Sequence, residues 1–471
     1  APMAARGVGE LLASMRAQPE AAAAQRNGAI MLVQAATSRG GAAVREVLDA
    51  QGVPTVVAAM RGHGGNAEVQ RWCANLLSCL AERGEAGEAA AAILAEGGLD
   101  AALEVLRRHP ASADALRWSL AALAALSERG GRAAAEALAG RPDGFALVVG
   151  SMRAHPDSAA VQAQAVRLLG LSALEAQPSA TADAEAPVRL ERAGALGSLV
   201  DAMSRLPEDH ELQKWGLAAL WAFAERGAVG DSFGCGAIDA ALVAMRTHSG
   251  SAELQRWGCA ALRALAESGP PDAAERAVEL GAVEAVVAAM EACSESLEVQ
   301  ERGSAALVAL AERGGRLGPQ AVMDFGGIDA VFKAPSLHPE SQDLERLKDE
   351  LTQVVHERLD SLAPGAGSAR GEALEAVEEG GGEEAEGQEE AEEDQEEPSS
   401  PSTPSTAASG GPLGASGLFS GAASTVAAEW PGEASASQAV PDARTPRLPP
   451  DAERAEAGPV ISAAEADDID L

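Results

Sequence analysis

Tyrosine is missing from this 471-residue chain, and aromatic residues of every kind make up 3% of it against 46% hydrophobic residues overall. Its interior must therefore be built from Ala, Leu and Val. Side chains that small suit closely packed helices better than sheets, which draw on aromatic and β-branched residues. Positive charge is also scarce, with 36 Lys and Arg against 71 Asp and Glu for a net −35. Nucleic acid and anionic lipid are bound largely by neutralising phosphate, so neither is an expected partner. The five cysteines, Cys73, Cys79, Cys235, Cys259 and Cys293, are odd in number and lack CxxC spacing. That is reduced-thiol usage, which points to the cytoplasm or nucleus rather than to secretion. No apolar run approaches the roughly 18 to 20 residues that span a bilayer, and nothing resembling a signal peptide precedes the first repeat.

What the chain does have is one sentence written many times. Ala252 to Glu267 reads AELQRWGCAALRALAE, and versions of it begin at Ala67, Ala113, Asp209 and Leu297, with weaker copies around Gln25, Gln162 and Glu345. At about 100° per residue, Leu254, Gly258, Leu262 and Leu265 share one narrow arc, so the stretch is a helix with a buried face. Trp257, Ala260 and Ala264 form a second strip, expected to look out on the open side of a stack, and Arg256 lies nearly opposite the core. Glu253 stands three residues before Arg256, and the same acid–base pairing recurs as Glu68/Arg71, Asp114/Arg117, Glu211/Lys214 and Asp343/Arg346. Such pairs contribute only about 0.2 to 0.5 kcal/mol each. Arg-Gly pairs at Gly84, Gly130, Gly227 and Gly314 suggest helix ends capped by left-handed glycine.

A methionine, or Leu106 in its place, closes a shorter helix before each copy, at 15, 60, 106, 152, 203, 245 and 290. A period of about 40 to 47 residues with three helical segments is the pattern of an α-helical repeat array. In one such unit Asp272–Leu280 is the first helix, Ala282–Glu291 the second and Leu297–Glu312 the third. Gly281 and its counterparts Gly52, Gly98, Gly194, Gly236 and Gly327 separate the first two, as a sharp turn requires. The array occupies residues 1–362 in about eight units, the first incomplete, which suggests residues upstream. The last unit has the polar helix around Asp343–Glu350 that suits a terminal cap. The one long spacing holds an insertion from Gln177 to Pro187, where Pro178 and Pro187 are expected to block helix continuation.

Residues 363–471 break the pattern. Between 364 and 400 there are 14 acids and one base, and the sequence then turns to Ser, Pro, Ala, Gly and Thr. Such a segment buries too little apolar area to offset its ordering entropy and is expected to be disordered.

The period, the glycine between the first two helices and the Gln-x-x-small entry of the third, as in Gln255-Arg256-Trp257-Gly258, resemble the armadillo-repeat family over residues 1–362. The Met152-Arg153-Ala154-His155-Pro156 wording is similar to armadillo stretches of leucine-rich-repeat kinases and related scaffolds. The resemblance implies an all-α, armadillo/HEAT-like right-handed superhelical solenoid with a concave groove lined by third helices. In the family's nuclear-import receptors that groove carries Trp and Asn ladders. Here the corresponding positions hold Ile30, Asn75, Ala121, Arg167, Ala218, Ala260 and Ala305, then Gln34, Cys79, Ala125, Leu171, Ala222, Ala264 and Ala309, so both ladders are absent.

The candidate partner-binding residues are two rows on the third helices, Trp72, Trp118, Trp215 and Trp257 beside Arg71, Arg117, Lys214 and Arg256. Trp and Arg are favoured anchors at protein interfaces. Each row also has a plainer reading, the indoles packing between helices and the bases forming a solvated ion-paired face. Histidines recur after the middle helices at His63, His109, His155, His248 and His338. Packed helices about 8 to 10 Å apart cannot bring them to one metal, so they read as favourable helix ends and no metal is expected. His210-Glu211 begins like a zincin motif, but Lys214 stands where the second histidine would be. No nucleophile elbow, P-loop or dinucleotide fingerprint occurs. The sequence thus predicts a non-enzymatic, cofactor-free scaffold that grips an extended or helical segment of a protein partner. The alternative is a regulatory array belonging to a larger signalling enzyme, with a nuclear transport receptor ranked below both.

Overall fold

The computed structural model describes residues 7–175, 185–225, 236–270 and 272–362, and among them every regular element is a helix. The acidic C-terminal segment lies outside the described residues, as does most of the insertion around 176–184.

The helices follow the repeat. The first unit holds α1 (Val8–Ala17) and α2 (Ala22–Arg39), and the second holds α3 (Gly41–Asp49), α4 (Gly52–Gly62) and α5 (Ala67–Arg83). The third has α6 (Glu88–Ala95), α7 (Gly98–Arg108) and the first part of α8 (Ala113–Ala139), whose second part opens the fourth unit with α9 (Gly144–Ala154) and α10 (Ala159–Glu175). Next come α11 (Glu185–Ala193), α12 (Ala195–Arg205) and α13 (His210–Glu225), then α14 (Ala237–Thr247) and α15 (Ala252–Ser268). The last two units are α16 (Ala273–Glu279), α17 (Ala282–Ala292) and α18 (Leu297–Arg313), followed by α19 (Leu317–Asp324), α20 (Gly327–Leu337) and α21 (Gln342–Leu362). Each third helix packs on the third helix of the next unit, and each middle helix packs on the next middle helix.

Within a unit the joint between the second and third helices is a buried polar latch. Gln255 is 1% exposed, and its Nε2 donates to the carbonyls of Met245 (2.8 Å) and His248 (3.0 Å) at the end of α14. Gln25, Gln70, Gln162, Gln213 and Gln300 repeat this on their own middle helices. A helix end leaves four carbonyls without helical donors, and the glutamine supplies two of those bonds. In the third unit Leu116 takes its place, and Leu106 replaces the methionine. The methionines lie across the third helix where its residue is smallest: a Cβ added to Gly28, Gly216 or Gly303 would come within 2.5 to 2.6 Å of Met15, Met203 or Met290.

Between units the histidines act as staples. The Nε2 of His63, His109, His155, His248 and His338 bonds the carbonyl of Pro19, Gly64, Pro110, Pro207 and Ser294, at 2.8 to 2.9 Å, each in the loop of the preceding unit. Their role is therefore to join units, beyond the favourable helix end expected from sequence. Arginine works in the other direction: Arg61 and Arg246 donate to the carbonyls of Glu96 (3.1 Å) and Leu280 (3.0 Å), which close the first helix of the following unit. In the Met-Arg-x-His wording, Met and His thus face different units. The joint between the third and fourth units adds paired ion bridges, Arg107–Asp143 at 2.6 Å and Arg141–Asp100 at 2.5 Å. The hydrogen bond from Arg141 holds Asp100 below the usual carboxylate range, and that from Arg107 does the same for Asp143.

Several local expectations need correction. The left-handed residue between first and second helices is Gln51, Gly97 or Gly326, one before the glycine expected in those units, whereas Gly194, Gly236 and Gly281 are as expected. The glycines that follow have a different reason: a Cβ at Gly52, Gly98 or Gly327 would run into Val47, Ile93 or Val322. Gly84 and Gly314 end their helices with φ of −72° and −75°, not left-handed. Steric room decides there, since a Cβ on Gly84 would sit 2.6 Å from Ala89 Cβ and one on Gly314 would strike the Leu310 carbonyl. Gly130 does not end its helix either, because α8 runs on and breaks at Gly131 (φ 53°, ψ −140°). Pro187 sits inside the first turn of α11, where a missing N–H costs nothing, and does not block it. Gly227 lies outside the described residues.

Candidate binding face on the third helices

The third helices bury more of their circumference than one narrow face. In α15 the expected core residues Leu254, Leu262 and Leu265 are fully buried, but Ala260 and Ala264, expected on the open strip, are also only 3% and 1% exposed. Alanine allows the flanking third helices, α13 and α18, to approach until little of the strip is left. What remains in contact with solvent is the larger side chains.

Trp72, Trp118 and Trp257 are half-buried, and Trp215 is 7% exposed. Each ring carries the basic residue that precedes it: Arg71 (5.2 Å to the ring centre), Arg117 (4.4 Å), Lys214 (5.5 Å) and Arg256 (5.0 Å). The two candidate rows are thus one row of cation–aromatic pairs, a contact of about 0.5 to 1 kcal/mol near the surface. Most of the bases are also held electrostatically. Arg71 lies between Glu68 (3.5 Å) and Asp114 of the next unit (3.2 Å), and Lys214 between Glu211 (2.7 Å) and Glu253 of the next (3.9 Å). Arg256 pairs with Glu298 of the next unit at 2.5 Å rather than with Glu253 as expected. Asp114 is drawn to Arg71 and the acid position of the fourth unit is Ala160, so among the described residues Arg117 has no ion pair and keeps its contact with Trp118.

Two further side chains complete the face, and neither was singled out from sequence. Trp221 lies two turns along α13 from Trp215, and its indole meets Trp257 of the next unit with ring centres 5.4 Å apart, tilted by 45°. Arg302 stands in α18 at the position that holds Trp257 in α15. Its guanidinium lies 5.8 Å from both the Trp221 and the Trp257 ring centres. Burial lowers its pKa, and the neighbouring charges of Arg256 and Arg263 add to the effect. The acid that acts on it, Glu298, is engaged with Arg256, and among the described residues Arg302 forms no ion pair. The signal in the sequence was the arginine standing in the tryptophan column, visible only once the units are aligned.

The opposite holds in the earlier units. Arg167 of α10 pairs with Glu128 and reaches Glu82 at 3.8 Å, so a single cation spans the third helices of three units and satisfies itself. Among the described residues no group of three or more His, Cys, Asp or Glu is placed to hold a metal, and no helix is long and apolar enough to cross a membrane.

The sequence matches no family model and no curated protein. Among solved structures it is similar to an engineered protein, at 19% identity and a TM-score of 0.34 over 65% of this chain and 98% of that one. It is also similar to a structure from a study of a phosphorylation switch in the interaction between cadherin and beta-catenin, at 12% identity and a TM-score of 0.31 over 75% of this chain and 83% of that one. At these scores neither likeness bears on what this chain binds.

Proposed function

We propose that the chain is an armadillo-type solenoid and a non-enzymatic scaffold, whose third-helix face grips a protein segment with an acidic side chain set among apolar ones. The observation that supports this is Arg302. A guanidinium drawn out of water against two indole faces, with no carboxylate of its own, is a charge that a partner's Asp or Glu would complete. Arginine's planar fork suits a carboxylate, and such charge-assisted bonds strengthen as water is excluded. Trp221 and Trp257 supply the aromatic surface around it that anchors and excludes water. Trp72 and Trp118 extend the same row as aromatic surface, with Trp215 buried behind it; Arg71 and Lys214 are neutralised by neighbouring acids, whereas Arg117, like Arg302, has no ion pair among the described residues and adds a second cation.

The test starts with peptides selected from a random display library on the full chain and measured by calorimetry against wild type, R302A and W257A. Selected peptides should carry an acid whose replacement by alanine weakens binding roughly 10- to 100-fold, and R302A should abolish that dependence. Selected peptides indifferent to both R302A and W257A would sink the reading.

A further inference from the structure

Six large apolar side chains are strongly exposed among the described residues, and five of them, Leu317, Met323, Phe325, Phe332 and Leu337, belong to the last unit. Phe332 is the most exposed at 48%. Its position on the middle helix has a counterpart three residues before the closing Met or Leu of every earlier unit, from Leu12 through Val57 and Leu103 to Leu242 and Val287. None of these counterparts is more than 7% exposed. Met323 stands where the preceding unit has Val278, which is also only 7% exposed. The reason is the stacking of middle helices: α4 covers α1, α7 covers α4, and so on to α20 on α17, while no described helix covers α20 in turn. The polar α21, expected from sequence to cap the array, brings Lys348 to 6.0 Å from the Phe332 ring centre and still leaves that ring 48% exposed.

We infer that the outer face of α19 and α20 is a self-association surface on which a second copy of this chain docks by the same face, in a twofold arrangement. The surface continues the one that joins every pair of units, so its natural complement is another apolar helical face. The first unit cannot supply that complement, because α1 and α2 expose no large apolar side chain among the described residues. A head-to-tail contact therefore has no partner surface, whereas tail-to-tail contact pairs apolar with apolar. Such isologous contact closes at two copies. The charges permit it: Asp324, Asp329 and Lys333 are exposed on the same two helices and Lys348 lies over the Phe332 ring, so the face carries both signs and a second copy meets no field of one sign. Apolar patches of this kind, with a polar rim, are what association surfaces look like on otherwise soluble domains.

Sedimentation velocity on the full chain over a wide concentration range should show monomer and dimer with nothing larger. F332E and, independently, M323E should leave only monomer while the far-UV circular dichroism is unchanged. V243E, which charges the sixth exposed apolar residue, far from this face, should leave the dimer intact. Species that grow beyond dimer would mean head-to-tail contact and overturn the inference. A monomer at every concentration would overturn it too, and the labelling rate of an F332C thiol then tells why. Rapid reaction means a bare face, and slow reaction means that later residues of the chain cover it.

Discussion

Replacing Gln255 with leucine isolates the latch that joins each middle helix to its third helix. The side chain is 1% exposed, and its amide bonds both the Met245 and the His248 carbonyl. Leucine fills nearly the same volume, so the main loss is the two hydrogen bonds; the His248 carbonyl keeps the Ser251 N–H at 3.0 Å, and the Met245 carbonyl loses its side-chain donor. One unsatisfied buried acceptor costs about 1 to 3 kcal/mol, and leucine's more favourable burial returns part of that, leaving a net loss of roughly 1 to 2 kcal/mol. The fold should survive, since Leu116 occupies this position in the third unit opposite Leu106. Stacked units respond locally, so the loss should appear in urea unfolding and, by hydrogen exchange, as faster opening confined to α14, α15 and their immediate neighbours. Q255E sharpens the test. A carboxylate of the same shape aimed at two carbonyl oxygens should be worse than leucine at neutral pH and recover as the group is protonated in acid. If Q255L costs under about 0.5 kcal/mol, or Q255E is no worse than Q255L, the glutamine is a filler and the latch argument fails.

Other outcomes follow from the same architecture. H155A removes the bond to the Pro110 carbonyl and should destabilise by about 1 kcal/mol, with exchange rising on both sides of the joint between the third and fourth units rather than within either. Burial pushes the Cys73 and Cys259 thiols up to about 12, so neither should react with a thiol reagent until the array opens. Because the folded values lie above the ordinary thiol value of 9.0, the stabilisation from keeping these thiols neutral is complete below that value. It is lost as pH rises through about 12, and C73A with C259A should flatten that alkaline loss in urea unfolding.

The sequence by itself determined the periodic part of this protein. Repeats of one amphipathic sentence are local facts: helix spacing buries Leu254, Leu262 and Leu265 wherever the neighbours lie, and the recurring Met and Gly mark where one helix must give way to the next. The all-helical build, most helix positions and the column of tryptophans were legible for that reason. Tertiary structure decided what depends on which atoms come together in space, whether across a turn of five residues or across a joint between units. Whether a glycine is needed for its φ or for lack of a Cβ was set by what approaches it, as at Gly84, Gly52 and Gly98. Which acid Arg256 chooses was set by the distance to Glu298 across the joint, not by the in-helix spacing to Glu253. The histidines became staples because their partners are carbonyls of the preceding unit, 41 to 45 residues back, and a carbonyl leaves no mark on the residue alphabet. Trp221, Trp257 and Arg302 come from three successive units, so only stacking could bring them together, and only stacking could show that the last unit's apolar face has nothing stacked upon it.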